Sequence, residues 1–210
     1  MGERSGSGLL PDRRGALLGA VLWLAFIVIL LAMHRPPFCP CGTVHLWAGK
    51  VQSPENSQQL TDWYSFSHMI HGMLFYGAGH ILWRKAGLGR WLPSPRWALP
   101  LAILVEGSWE LLENSPLIID RYRAVTVSWG YSGDSVLNSL SDTFMMSSGF
   151  FCASKLRARA VIAIALVLEI FTASVIRDNL SLNVLNLIAP SSWAPIRAIH
   201  DWQAAAPPRR

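Results

Sequence analysis

The sequence predicts an all-α fold: a polytopic transmembrane helix bundle with about five spanning helices and a cytoplasmic N-terminus. Hydrophobic residues make up 51% of the 210 residues and charged residues only 15%, which is too apolar for an ordinary soluble domain of this size. Apolar runs close to the roughly 20 residues that cross a hydrocarbon core recur along the chain. Several of the ten tryptophans fall near the ends of those runs, where indole rings suit the headgroup region.

The first predicted span, 15–33, contains no charged residue and follows a basic tail at 1–14. Its apolar run is long and no pattern of small residues typical of a cleavage site follows it, which favours an uncleaved signal anchor over a signal peptide. Near the other end of the chain, residues 182–199 are left open as a sixth or re-entrant helix, because Pro190 and Pro195 interrupt them. Four further spans are predicted at 65–83, 97–113, 134–153 and 160–176.

Basic residues mark one side of the predicted bundle. Ten of the 18 Lys and Arg residues lie in the N-terminal tail or in the short connections 84–96 and 154–159. Positively charged short loops stay in the cytoplasm. The loop 34–64, the connection 114–133 and the C-terminal segment 177–210 are therefore predicted to be external. This is the topology of a multi-pass protein of a bacterial inner (plasma) membrane.

The net charge of +5 does not indicate nucleic-acid binding, because the basic residues form short clusters between apolar runs and not one continuous face. Membrane topology explains these clusters better. The lipid bilayer is the predicted partner, and no nucleic acid is expected. The sequence identifies no protein partner.

Polar side chains recur at helical spacing inside three of the predicted spans. Ionisable groups within a membrane cost on the order of 2.5–3.5 kcal/mol each, so these side chains are expected to face one another or water. The predicted topology puts most of them in the outer half of the bilayer, which indicates one polar site at the outer face. They are His68 and His71 in the second span, Glu106, Glu110 and Glu113 in the third, and Asp134, Asn138 and Asp142 in the fourth.

These residue types predict binding or processing of a lipid or envelope-precursor headgroup. An imidazole is suited to act as a base, a guanidinium to hold phosphate, and carboxylates to bind a divalent metal, although no strict metal motif is present. A divalent metal is therefore a candidate cofactor. The candidate catalytic residues are His68, His71, Glu110 and Asp134; the candidate substrate-binding residues are Arg121, Arg123 and Asn138; the candidate metal ligands are Glu110, Glu113, Asp134 and Asp142.

A structural alternative is that the polar groups hold the helices together through interhelical hydrogen bonds, as Asn138 and its neighbouring serines could do. Three glutamates on one stripe fit this alternative less well, because like charges repel unless some are protonated or share a cation. Proton- or cation-coupled transport is a further alternative, since chains of acids and histidines mark ion paths in membranes. A structural or assembly role in the cell envelope, for which such hydrogen bonds would be enough, is the third possible function beside headgroup binding and transport.

Cys39 and Cys41 follow the first span on the predicted outer side, where thiols can oxidise. A disulfide, a redox pair and half of a metal site all remain open. Two cysteines alone are too few for a structural zinc site.

Six separate motifs stand out along the chain. They are Cys-Pro-Cys-Gly at 39–42, Gln-Ser-Pro-Glu-Asn-Ser at 52–57, Asp-Trp-Tyr-Ser-Phe-Ser-His-Met-Ile-His-Gly at 62–72, Glu-Asn-Ser-Pro-Leu-Ile-Ile-Asp-Arg-Tyr-Arg at 113–123, Gly-Asp-Ser-Val-Leu-Asn-Ser-Leu-Ser-Asp at 133–142 and Ile-Arg-Asp-Asn-Leu at 176–180. Together they resemble one uncharacterised family of bacterial multi-pass inner-membrane proteins. The resemblance covers roughly residues 30–190 and implies location and topology, with no activity attached.

The chain also has His68 or His71, Glu106 or Glu110, Arg121 or Arg123, Asp134 and Asn138 in an order that more faintly resembles VanZ-like membrane proteins. This resemblance implies a polar site at the outer face.

Overall fold

A computed structural model describes residues 8–85, 94–128 and 130–205. Helices dominate these residues, which confirms the predicted helical class. A parallel pair of two-residue strands, β1 (Trp47–Ala48) and β2 (Thr61–Asp62), lies between the first two helices. The α-helices are α1 (Arg13–Ala32), α2 (Ser65–His80), α3 (Ala98–Glu113), α4 (Pro116–Val125), α5 (Val136–Lys155), α6 (Ala158–Ile176), α7 (Leu180–Ile188) and α8 (Ala194–Ala204), with a π-helical turn at Ile81–Lys85 and a 3-10 turn at Pro95–Trp97.

Helices α1, α2, α3, α5 and α6 lie at the five predicted spans. Within the described part of the chain, only α1 and α6 are long and apolar enough to cross a membrane by length and composition. Helix α6 is little buried, and Ile162, Val167 and Ile170 expose more than half of their surface, which suits contact with lipid. Helices α2 and α3 have 16 residues each, about 24 Å of rise, so their spanning of the bilayer stays a prediction.

Three short helices lie in segments that the sequence predicts to be external. Helix α4 begins at Pro116 inside the connection 114–133, and α7 and α8 occupy the C-terminal segment. The undecided stretch 182–199 forms two helices, because α7 ends before Pro190 and α8 begins at Ala194. With nine residues, α7 rises only about 14 Å, too little to cross a hydrocarbon core. The basic connection 84–96 lies partly outside the described residues.

Among the described helices, α2 and α5 make the most extensive contact with each other, and two glycines allow it. A Cβ atom at Gly72 would overlap the backbone carbonyl of Met146, and one at Gly149 would overlap that of Met69. Small residues allow two helix backbones to approach in this way. The pairing brings the polar stripe of α2 directly against that of α5.

A second polar network connects α2 to the C-terminal helices through Asp178, which is fully buried just after α6. Its carboxylate accepts hydrogen bonds from the Asn179 N–H at 3.0 Å, the Tyr64 hydroxyl at 3.2 Å and the Asn183 amide at 3.3 Å. The Gln203 amide, on α8, lies 3.4 Å away. Burial raises the pKa of Asp178 to about 6, and these hydrogen bonds only partly oppose it.

This raised pKa predicts a pH dependence of stability. The ordinary pKa of the group is 3.8, so the folded protein holds the Asp178 proton more tightly than the unfolded chain does. Stability from this group is therefore present below pH 3.8 and is lost as the pH rises to about 6, by about 3 kcal/mol. Asp178→Asn should remove that loss. Unfolding of both proteins in detergent across this pH range measures it, and a difference between them that does not change with pH would refute the prediction.

Candidate functional site

Histidines from α2 meet a glutamate from α3 in the interior of the bundle. The Nδ1 atom of His68 lies 2.6 Å from Oε1 of Glu106, and Nδ1 of His71 lies 3.1 Å from both oxygens of the same carboxylate. Glu106 is 1% exposed and His68 6%, so both are shielded from water. The Glu106 carboxylate therefore orients two imidazole rings, each through its own Nδ1 atom.

The other side of the His68 ring faces α5. Its Nε2 atom lies 3.9 Å from Oδ2 of Asp142. The second oxygen of Asp142 accepts a 3.0 Å hydrogen bond from the Ser65 hydroxyl at the start of α2, and this hydroxyl also accepts the N–H of Asp62 at 3.1 Å. Ser65 and Asp62 were not singled out in the sequence, although both lie in the motif that contains the histidines. Together they fix the orientation of Asp142.

Glu110 is one helical turn from Glu106 on α3 and is 2% exposed. Among the described residues, neither of its carboxylate oxygens has a hydrogen-bond partner. Nδ1 of His68 lies 3.5 Å from Oε1 of Glu110, but it is already bonded to Glu106. A buried polar group without a partner is costly, so a purely structural role does not explain Glu110.

Asp134 lies in the loop just before α5, and not inside the helix as the predicted span 134–153 would place it. Asn114 fixes it from both sides, because the Asn114 amide donates to Oδ2 at 2.8 Å and Oδ1 of Asn114 accepts the Asp134 N–H at 2.7 Å. The Tyr131 hydroxyl donates to Oδ1 at 2.9 Å. Both carboxylate oxygens of Asp134 are therefore satisfied. Asn114 follows Glu113 directly in sequence, which is the signal that could have found it.

Asn138 makes contacts that organise the loop 51–62. Its side chain donates to the carbonyl of Gln59 at 2.9 Å, and its N–H donates to the Ser135 hydroxyl that caps α5. The Ser135 hydroxyl in turn donates to the carbonyl of Gln58 at 2.9 Å. Asn138 thus connects helix α5 to the loop that covers the site.

The two arginines predicted to bind substrate lie outside this cluster. The Arg121 guanidinium donates to carbonyls at the C-terminal end of α7, including those of Asn186 and Ala189, each at 3.1 Å. The Arg123 side chain donates to the carbonyl of Tyr131 at 2.5 Å, so it lies behind one wall of the site. Arg35, which the sequence did not single out, donates to the carbonyl of Asp134 at 3.0 Å.

A cavity of about 20 Å³ lies between helices α2, α3, α4 and α5 and the loops that precede α2 and α5. A cavity of this size has room for one water molecule or one small ion. Glu113, half-buried at the end of α3, also contributes to its wall and neighbours the Tyr122 hydroxyl. The wall includes Tyr64, His68, Tyr122, Tyr131, Asp134 and Asp142.

Within the part of the chain that the structure describes, three overlapping sets of side chains each bring three ligand atoms within 4.8 Å of one another, close enough to share an ion. His68 and Glu110 each belong to two of the sets. The four metal ligands predicted from sequence are thus divided between two of them. The sets are His68, His71 and Glu106; His68, Glu110 and Asp142; and Glu110, Glu113 and Asp134.

Cys39 and Cys41 are joined by a disulfide in the loop after α1. The Gln59 amide donates to the Cys41 sulfur at 3.4 Å. The disulfide therefore contacts the loop that covers the site, while the site itself is built from other residues.

Comparison with known proteins identifies the family. Residues 30–205 match DUF2585, a family described as proteins of unknown function. The chain belongs to this family. The match includes the whole acid–histidine cluster, that is His68, His71, Glu106, Glu110, Glu113, Asp134 and Asp142. It confirms the predicted membership of an uncharacterised family. No solved structure matches this DUF2585 chain.

Relatives carry the name UPF0314 protein and are similar over almost their whole length. The protein of Novosphingobium aromaticivorans is 57% identical over 201 residues, which covers 96% of this chain and 98% of the relative. That of Sphingopyxis alaskensis is 54% identical, covering 92% and 96%. A protein of Rhizobium etli is 52% identical over 180 residues, covering 86% of each.

Proposed function

We propose that this DUF2585 protein is an integral membrane protein whose buried acid–histidine site binds or processes the headgroup of an anionic lipid or envelope precursor at the outer leaflet. The proposal is supported most strongly by the burial of Glu110, which is 2% exposed and has no hydrogen-bond partner within the described residues. Side chains that only join helices satisfy one another, whereas a binding site keeps groups available for a ligand. His68, next to Glu110, is the candidate base.

The preference for an anionic headgroup rests on two arginines near the cavity. Arg35 is partly buried and bonds to the backbone of Asp134, and Arg123 bonds to the backbone of Tyr131 while about half of its side chain stays exposed. Asp134 and Tyr131 belong to the cavity wall. Guanidinium groups bind phosphate through charge-assisted hydrogen bonds. The cavity is too small for a whole headgroup, so the headgroup would lie at its opening with one oxygen atom inside.

A second candidate function is proton transfer coupled to transport. Polar side chains follow one another from Ser65 through Asp142 to His68, and from there to Glu106 and His71, with 3.9 Å between Asp142 and His68. Such a series favours movement of a proton between the loop side and the helix interior. Proton-dependent flux in vesicles containing the purified protein, abolished by His68→Gln, would favour this function over headgroup binding.

The test of headgroup processing is a deletion strain complemented with wild-type, Glu110→Gln or Glu55→Gln protein. Glu55 lies in the covering loop outside the cluster and supplies a control with the same change of side chain. Mass spectrometry of polar lipids and lipid-linked precursors should show the change caused by deletion persisting with Glu110→Gln and disappearing with Glu55→Gln. A Glu110→Gln strain with the wild-type profile, at wild-type protein level, would contradict the proposal.

A further inference from the structure

We propose that His68, Glu110 and Asp142 bind one divalent transition-metal ion, Zn²⁺ or Mn²⁺. The inference deepens the proposed function and rests on it for the ion's role, although ion binding is measurable without any lipid. One ligand atom from each of the three side chains lies within 4.8 Å of the others, and all three side chains are buried. They come from α2, α3 and α5, so the ion would join the three polar helices.

Neighbouring side chains hold two of these ligands in the required orientation. Glu106 lies at Nδ1 of His68 at 2.6 Å, which leaves Nε2 facing Asp142. Ser65 donates to Oδ1 of Asp142 at 3.0 Å, which leaves Oδ2 facing His68. Metal-binding histidines and carboxylates are characteristically oriented by such second partners.

The observation that points to a ligand is the carboxylate of Glu110. Both of its oxygens are buried and lack a hydrogen-bond partner among the described residues. Its surroundings contain other acids and the already paired His68, and no lysine or arginine is bonded to it in the part of the chain that the structure describes. A bound cation would satisfy both oxygens and reduce the repulsion among the neighbouring acids.

The other two sets are less suited to an ion. In the set His68, His71 and Glu106, the carboxylate and both Nδ1 atoms already bond to one another. In the set containing Asp134, both Asp134 oxygens accept hydrogen bonds from neutral donors, Asn114 and Tyr131. The set with His68, Glu110 and Asp142 is therefore the one with free ligand atoms.

The donor atoms decide the class of ion. One imidazole nitrogen with carboxylate oxygens suits Zn²⁺ or Mn²⁺ better than Ca²⁺, which prefers oxygen ligands alone. His68 and Asp142 also contribute to the wall of the 20 Å³ cavity, which has room for one water next to the ion. An ion with three protein ligands and an open position could bind that water or a phosphate oxygen of a headgroup.

The test uses the purified full chain in detergent, free of affinity tag and stripped with a chelator. Titration calorimetry with ZnCl₂ or MnCl₂, and elemental analysis after removal of free ion, should give about one bound ion per chain for at least one metal. Glu110→Gln and Asp142→Asn should weaken binding by about 100-fold or more, because each removes a ligand and loss of an outer-shell partner alone costs about 10–100-fold. His80→Gln and Glu55→Gln, which change residues outside the site, should bind like the wild type.

Thermal unfolding separates loss of binding from loss of folding. Metal should raise the melting temperature of the wild type and of His80→Gln, and should leave that of Glu110→Gln unchanged. Without metal, Glu110→Gln should melt no lower than the wild type. Absence of stoichiometric binding of either metal by the wild type, or full retention of binding by Glu110→Gln, would overturn the inference.

The inference and the proposed function fail in different experiments. If the wild type binds one ion that Glu110→Gln loses, while the strain with Glu110→Gln has a normal lipid profile, the metal site stands and headgroup processing is refuted. If the lipid profile changes but neither metal binds, the headgroup function stands and the metal site is refuted.

Discussion

Gly72→Ala is expected to lower the free energy of unfolding by about 3 kcal/mol or more, with a large loss of folded protein in detergent. The added methyl group would overlap the backbone carbonyl of Met146 on α5, and backbone cannot move aside as a flexible side chain can. Helices α2 and α5 would have to separate, which would also pull His68 away from Asp142. Unfolding monitored by circular dichroism, with size-exclusion chromatography of the folded fraction, measures the effect.

Gly77→Ala is the matched control on the same helix. No atom lies within 4 Å of a Cβ built at Gly77, and alanine favours a helix over glycine by about 1 kcal/mol. This variant should therefore be at least as stable as the wild type. Gly149→Ala should reproduce the loss seen with Gly72→Ala, because it meets the carbonyl of Met69. Equal stability of Gly72→Ala and Gly77→Ala would contradict the close packing of α2 on α5.

The sequence predicted that the polar stripes of three helices meet, because polar residues at helical spacing within apolar helices have few alternatives to facing one another. His68, Glu110 and Asp142, one from each of these helices, do lie close together, with ligand atoms within 4.8 Å of one another. The same reasoning could not assign Asp134 correctly, because its side chain continues the period of α5 while its backbone lies before the Ser135 cap. Periodicity alone does not identify where a helix begins.

The contacts made by loops were not predictable. Arg121 was expected near the acids because both lie on the predicted outer side, whereas its guanidinium bonds to carbonyls at the end of α7. That pairing joins residues 65 or more positions apart and depends on the fold of the C-terminal segment. Arg35 and Asn114 were missed for the same reason, since each acts through Asp134 and neither belongs to a periodic stripe.

Two glutamates one turn apart on α3 are expected to respond in opposite directions to the same substitution. Glu106→Leu should lower the free energy of unfolding of the metal-free protein by about 3 kcal/mol, because it leaves the buried imidazole of His68 and the half-buried imidazole of His71 without their shared partner. Glu110→Leu should raise it by about 1–3 kcal/mol, because it removes a buried carboxylate that has no hydrogen-bond partner within the described residues.

The unfolding free energy of Glu110→Leu decides whether Glu110 belongs to a binding site or to the packing of the bundle. It is measured with chelator present throughout, beside the wild type and Glu106→Leu. We expect Glu110→Leu to be more stable than the wild type and Glu106→Leu to be less stable. A loss of stability in Glu110→Leu comparable to that in Glu106→Leu would contradict this expectation and would favour a structural role for both carboxylates.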